Sequence, residues 1–438
     1  MTSYHCEYAW LGGADASADV VIEVTGDRIT DVRGGVPAPP GATRLRGLTL
    51  PGFADAHSHA FHRALRGRTH GGAGSFWTWR EQMYAVAGRL DPDSYFALAR
   101  ATFAEMAQAG IACVGEFHYV HHQPDGTPYA DPNAMGAALC AAAGEAGIRI
   151  TLLDACYLHG GVGGAPLGPA QLRFGDGSVA AWAERAERRQ GGAHVRLGAA
   201  IHSVRAVDPD GIHAVAAWAA ARDMPLHAHV SEQPGENAAC NERYGVTPTE
   251  LLHHGRALSE RFTAVHATHA AAGDITLLGA AGATACFCPT TERDLADGLG
   301  PARDLLDAGA ALCVGSDSHA VIDVLEETRA LELHERMRTN VRGRLGVPDL
   351  LVAATEAGHR ALGWPEAGRL APGALADLVT VDLASVRTAG GADPLATAVF
   401  AATAADVRSV IVGGVPIPQI DVVGALTDAI ARLTGGTP

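Results

Sequence analysis

Histidines recur in this chain where apolar runs end. His57 and His59 close the run that leads into "DAHSHAFHR". Alternate residues of an extended segment point to one side, so these two imidazoles face the same way. Further on stand His227 and His229 in "MPLHAHVSE", His266 and His269 in "FTAVHATH", and Asp317 in "ALCVGSDSH". Imidazole and carboxylate are ligands for a divalent ion, and a catalytic zinc takes about four N/O ligands with a position left for water. Two histidines of the first run, one of the "HAHVSE" run and Asp317 would meet that need. A single such histidine is more often a satisfied core residue, but the whole set at run ends points to a metal. All 33 basic residues are arginine. That excludes Schiff-base chemistry, a P-loop lysine and a carbamylated lysine bridging two metal ions.

The elements that carry these residues follow a pattern. Eight apolar runs, "LTLPGFADAHSH", "ACVGEFHY", "IRITLLDACY", "VRLGAAIHS", "MPLHAHVSE", "FTAVHATH", "ATACFCPTTE" and "ALCVGSDSH", alternate with alanine-rich helical stretches such as 91–110 and 133–147. Continuous apolar runs separated by helices are what a buried parallel sheet requires, and eight of them predict a (β/α)8 TIM-like barrel. Almost every run ends in a polar residue, as barrel strands do at the face that bears the active site. "DVVIEVTGDRITDVRGG" near the start is a hairpin signature, and "GALADLVTVDL" and "VRSVIVGGVPI" near the end are again β-rich. The expected organisation is a catalytic barrel over 48–368 and a small composite β-sandwich from 1–47 and 369–438. The glycine-rich stretch 158–177 reads as a mobile loop over the site.

Composition narrows the partners. With 438 residues and a net charge of −15, and no basic run, nucleic acid and anionic membranes are not expected. The N-terminus lacks a signal-peptide pattern, and no apolar stretch reaches membrane-spanning length. The eight cysteines form no CxxC pair and sit mostly in apolar segments, which fits reduced thiols in a cytoplasmic protein. Cys286 and Cys288 could take a soft metal, although core packing is the preferred reading.

The first-run H-x-H, the Glu three residues after His229, the H-x-x-H at His266 and the S-D-S around Asp317 resemble the amidohydrolase superfamily, in its mononuclear deaminase branch. Longer stretches, "HSHAFHRAL", "SFWTWREQMY", "GEFHYVHH", "IHSVRAV", "HAHVSEQ", "VHATH" and "GSDSH", resemble the formimidoylglutamate deiminase family over nearly the whole chain. The resemblance implies one divalent metal per chain, zinc being the expected ion, held by His57, His59, His229 and Asp317. It implies Glu232 and His266 as the acid/base pair, with Asp317 sharing the water proton. The implied reaction is metal-dependent hydrolysis of N-formimino-L-glutamate to N-formyl-L-glutamate and ammonia. Arg80 and Arg205 would pair with the carboxylates of this dicarboxylate, and Tyr119 and His202 would add hydrogen bonds. Trp77 and Trp79 would either anchor their loop or touch substrate. The residue after H-S-H-A-F is usually Gln in this family and is His62 here, a group whose charge would vary near pH 6.5. The resemblance also implies a homodimer. The competing expectations are deamination of another amidine, guanidine or nucleobase, or a barrel without catalysis acting in assembly or regulation.

Overall fold

The computed structural model describes residues 2–70 and 76–435. The chain begins in a sheet that its other end completes: β1 (Thr2–Ala9), β2 (Ser17–Thr25), β3 (Arg28–Arg33) and β4 (Thr43–Pro51). Eight strands follow: β5 (Phe53–Ser58), β6 (Ile111–His118), β7 (Arg149–Cys156), β8 (Val195–Ile201), β9 (Leu226–Val230), β10 (Phe262–His266), β11 (Thr284–Phe287) and β12 (Ala311–Val314). Then β13 (Leu378–Val381), β14 (Val407–Val412) and β15 (Val415–Pro416) return to the first sheet.

Strands β5 to β12 pair in chain order, every pair parallel. The eight apolar runs are these eight strands. β5, β6 and β7 are buried at every position, because helices cover one face and the barrel interior the other. Closure comes at the C-terminal rim, where Ser58 and Asp317 form a parallel bridge and the Asp317 amide donates to the His57 carbonyl at 2.9 Å. The covering helices start and stop on local chemistry. Asp91 caps Pro92–Gln108 by accepting from the Ser94 amide at 2.8 Å, and Gly147 ends Ala134–Ala146 at φ 78°.

The terminal β unit is one seven-stranded mixed sheet in the order β15-β14-β13-β4-β1-β2-β3. β4 lies between β1, which it meets in parallel, and β13, which it meets antiparallel, so both chain ends share its backbone. The predicted hairpin is the β2–β3 pair. From β4 the chain passes through Gly52 directly into β5, which ties the strand that bears His57 to this sheet. Among the described residues no helix is long and apolar enough to cross a membrane.

Candidate active site

The C-terminal tips of β5, β9, β10 and β12 bring the candidate ligands together. His57 Nε2 lies 3.2 Å from His229 Nε2 and 3.4 Å from Asp317 Oδ1, and His59 Nε2 lies 3.4 Å from the same oxygen. Ligand atoms about 2.0–2.1 Å from a tetrahedral zinc stand about 3.3–3.4 Å apart. The spacing therefore suits a cation among them. The hydrogen bonds behind the rings suit it too. His59 Nδ1–H donates to the Phe117 carbonyl at 2.9 Å, and His229 Nδ1–H to the His202 carbonyl at 2.8 Å, which leaves each Nε2 with its lone pair inward. Burial pushes His59 down to about 3 despite the Phe117 carbonyl, and burial with neighbouring histidines holds His57 and His229 well below the usual range. These imidazoles are neutral, as candidate ligands must be. Burial lifts the Asp317 carboxyl to about 7 against the opposing pull of His266, a protonation that a divalent cation would reverse.

The ambiguous histidines separate cleanly. His227 turns away, its Nε2 bonded to the Ala361 carbonyl at 3.0 Å, and His269 is tied to the Asp297 carbonyl at 2.7 Å. His266 joins the same cluster, with a ring nitrogen within 4.8 Å of ligand atoms of His57 and His229, and its ring is stacked on His229 with centroids 5.6 Å apart. Its Nε2 faces Asp317 Oδ2 at 3.8 Å and Glu232 Oε1 at 3.9 Å. Burial opposes a charge on this ring, but Glu232, Glu292 and Asp317 outweigh it and lift its pKa to about 10. Non-glycine residues at these tips sit at positive φ: Ser231 (51°), His266 (72°), Ala267 (49°) and Asp317 (44°). Such backbone strain is characteristic of positions held for function.

One pocket, open to solvent, is lined by all five candidate substrate contacts, His62, Arg80, Tyr119, His202 and Arg205, together with His59, His229, Glu232 and Asp317. Arg205 donates to Glu232 Oε2 at 3.3 Å and to Glu236 Oε2 at 3.4 Å. Arg80 reaches the Tyr157 hydroxyl at 3.4 Å and lies over the Tyr84 ring. His62 Nε2 meets the Tyr119 hydroxyl at 3.2 Å. Burial keeps His62 well below its usual pKa, so its charge does not vary near pH 6.5 as its type alone implies. Trp79 packs edge-on against His62 and lines the pocket, whereas the side chain of Trp77 and the whole of Ser75 lie outside the described residues.

Other features were not legible in the sequence. The second half of the glycine-rich stretch is packed, not loose. Pro169–Phe174 forms a short helix, Arg173 is buried against the Ala87, Leu90 and His122 carbonyls, and Phe174 walls the pocket. Glu292, at the end of the "ATACFCPTTE" run, contacts His266; the polar run end was the only signal for it. Cys288 Sγ lies within 4.8 Å of a ligand atom of His266 and of Asp317, so the reading of Cys288 as packing alone leaves out its neighbours.

Comparison with known proteins identifies related sequences and folds. The amidohydrolase family profile matches residues 48–417. The chain is 42% identical over 355 residues to the formimidoylglutamate deiminase of Pseudomonas aeruginosa, covering 78% of each chain. The crystal structure of an amidohydrolase from Brucella melitensis superposes with a TM-score of 0.92 at 34% identity, over 99% of this chain and 100% of that one. An adenosine deaminase from Xanthomonas campestris, solved with bound zinc, shares the fold alone: TM-score 0.84, 23% identity, 99% and 98% covered. The matched stretch runs from the strand feeding the barrel to the last strand of the terminal sheet, and on that evidence the chain belongs to the amidohydrolase family.

Proposed function

We propose that this chain hydrolyses N-formimino-L-glutamate to N-formyl-L-glutamate and ammonia, a step of histidine degradation. The observation that carries the reading is a pocket lined by His59, His229 and Asp317, the last two in contact with the buried His57, and by the two arginines Arg80 and Arg205. Arginine forks match carboxylates, and a dicarboxylate needs two. A neutral nucleobase has no carboxylates for two such arginines to pair with.

His57, His59, His229 and Asp317 would hold one divalent ion, zinc being the expected one among the several that His/Asp sites accept. When bound, such an ion supplies a water activated at neutral pH. Arg80 and Arg205 hold the substrate carboxylates, and Tyr119, His202 and His62 complete the polar lining around the formimino group. A water oxygen bonds to the formimino carbon, and the bond from that carbon to the imino nitrogen breaks. A bound cation would oppose the lift on His266 as it does that on Asp317, and the two groups, 3.8 Å apart, would then share the water proton. Glu232, 3.9 Å from His266, carries protons to the departing nitrogen, so that ammonia leaves and not an amide anion.

The barrel unit 48–368 would carry this chemistry, with 1–47 and 369–438 as its composite β partner. Eight free cysteines, seven of them buried, fit a reducing compartment such as the cytoplasm, and the homodimer implied by the resemblance is open to sedimentation analysis. Ammonia release from N-formimino-L-glutamate, N-formimino-L-aspartate, N-guanidino-L-glutamate, cytosine and guanine tests the reading. N-formimino-L-glutamate should turn over fastest; faster release from a nucleobase would overturn the assignment.

A further inference from the structure

We infer that Glu292 is a positioning residue for His266, holding the imidazole so that its Nε2 faces the space between Glu232 and Asp317. The inference rests on the reading of His266 as a proton carrier and goes beyond it by naming what holds that carrier. Glu292 is 1% exposed, in the first turn of the short helix Pro289–Asp294 that follows β11. Its Oε1 accepts the Cys288 backbone N–H at 2.8 Å and lies 3.4 Å from His266 Nδ1. A carboxylate oxygen can only accept, so Nδ1 carries the hydrogen there.

The consequence is geometric. With Nδ1–H committed to Glu292, Nε2 points the other way, to a place where it is buried with no protein hydrogen-bond partner among the described residues. Its nearest acidic neighbours there are Asp317 Oδ2 at 3.8 Å and Glu232 Oε1 at 3.9 Å, leaving the nitrogen for a reacting atom. The ring is held from two further directions, by stacking on His229 and by the positive φ of its own backbone. A buried imidazole with one nitrogen committed and the other unsatisfied is a side chain oriented for work. Glu292 itself is fixed by the Cys288 amide, so the orientation of His266 derives from the backbone of the β11 tip.

The test uses the full chain loaded with zinc and N-formimino-L-glutamate as substrate. Four variants are compared with the parent: Glu292→Gln, Glu292→Ala, His266→Ala and the Glu292→Ala/His266→Ala pair. Glu292→Ala should lower kcat by about 10–100-fold, with KM and zinc content within about twofold of the parent. Glu292→Gln keeps an accepting amide oxygen in the same volume and should recover at least half of that loss on a logarithmic scale. In the His266→Ala background, Glu292→Ala should cost no more than about twofold further, since contacting residues that act through one another are not additive. A full additional loss in that background, a kcat unchanged in Glu292→Ala, or a Gln variant as poor as Ala would overturn the inference while leaving the proposed reaction intact. A His266→Ala enzyme with the parent's kcat would instead sink the role of His266, and this inference with it.

Discussion

Glu232 and His229 sit three residues apart and should fail in different ways. His229 Nε2 is part of the converging ligand set, 3.2 Å from His57 Nε2, whereas Glu232 contacts His266 and Arg205. His229→Ala should therefore lose bound metal along with turnover. Glu232→Gln should keep its metal and lose kcat by about 10²-fold or more. Metal analysis beside steady-state kinetics separates the two, and a Glu232→Gln enzyme with near-normal kcat would mean that another group moves the proton. Arg205 carries the substrate side of the argument. Its guanidinium is held between Glu232 and Glu236, with the head presented to the pocket. Arg205→Ala should cost about 2–4 kcal/mol in kcat/KM for N-formimino-L-glutamate, because a carboxylate is left unpaired, and Arg205→Lys should not rescue fully, because an ammonium cannot reproduce a two-pronged contact. Most of the loss should fall on KM, since the contact holds ground state and transition state alike. Formamidine, which has the reacting group and no carboxylate, should be a very poor substrate; turnover as fast as that of N-formimino-L-glutamate would make the arginines irrelevant to recognition.

Between elements, what matters is how closely the ligand-bearing strands approach. A Cβ on Gly315 would lie 2.7–2.9 Å from the His57 backbone and side chain, so only glycine lets β12 close on β5 where His57 and Asp317 must meet. Gly315→Ala should give a folded barrel, judged by circular dichroism, that has lost metal affinity; wild-type zinc content in that variant would show that the tips tolerate separation. The strands themselves were legible because a buried parallel strand must be apolar and can end only in a polar tip. What holds the tips was not, since the Phe117 and His202 carbonyls that orient His59 and His229 leave no mark on residue type. The "GEFHYVHH" stretch shows a different limit. Its His122 bonds Asp176 at 2.9 Å and its His121 bonds the Ala155 carbonyl, within a buried network where Arg185 bridges Asp154 and Asp176. Pairings of such sequence separation depend on tertiary register and could not be read from spacing. Burial disfavours the charge on Asp154, but Arg185 and Arg189 outweigh it and hold its carboxyl well below the usual range. A carboxyl depressed in the folded state stabilises the fold above the ordinary carboxylate pKa of about 3.9, and that contribution is lost as pH falls below it. Asp154→Asn should therefore be less stable at pH 7 and show a flatter decline on acidification. Parallel urea titrations between pH 7 and pH 3 would check this, an unchanged slope counting against it.

At the scale of the molecule, the joint between barrel and terminal sheet is built at the opposite end of the strands from the ligands. Arg149, at the start of β7, forms a two-pronged pair with Asp377 at 3.0 and 3.2 Å, and Asp377 also accepts the Gly413 amide at 2.7 Å. The Asp377 carbonyl takes the Gly52 amide at 2.9 Å, so one residue ties the β4–β5 crossing, β7 and the β14–β15 turn together. Trp364 extends the joint, with the Arg149 and Arg196 guanidiniums 5.3 and 4.0 Å from its ring. That two chain ends so far apart share one sheet was foreseeable from their β-rich patterns; that a buried ion pair helps bind this sheet to the barrel was not. Removing one partner of a buried pair strands the other, at a cost of about 3–5 kcal/mol. If the whole chain unfolds as one unit, an unfolding entropy of about 2.1 cal/mol/K per residue converts that cost to a drop in Tm of about 3–5 °C for Asp377→Ala. Because the N-terminal face of a barrel bears stability and not chemistry, kcat and KM at 25 °C should stay near the parent's. Arg149→Met combined with Asp377→Ala should recover part of the lost Tm, since no charge is then left buried without a partner. Calorimetry and kinetics on the same samples decide the matter. A collapse of kcat in Asp377→Ala while the protein is still folded would show that the terminal sheet reaches the site through more than stability.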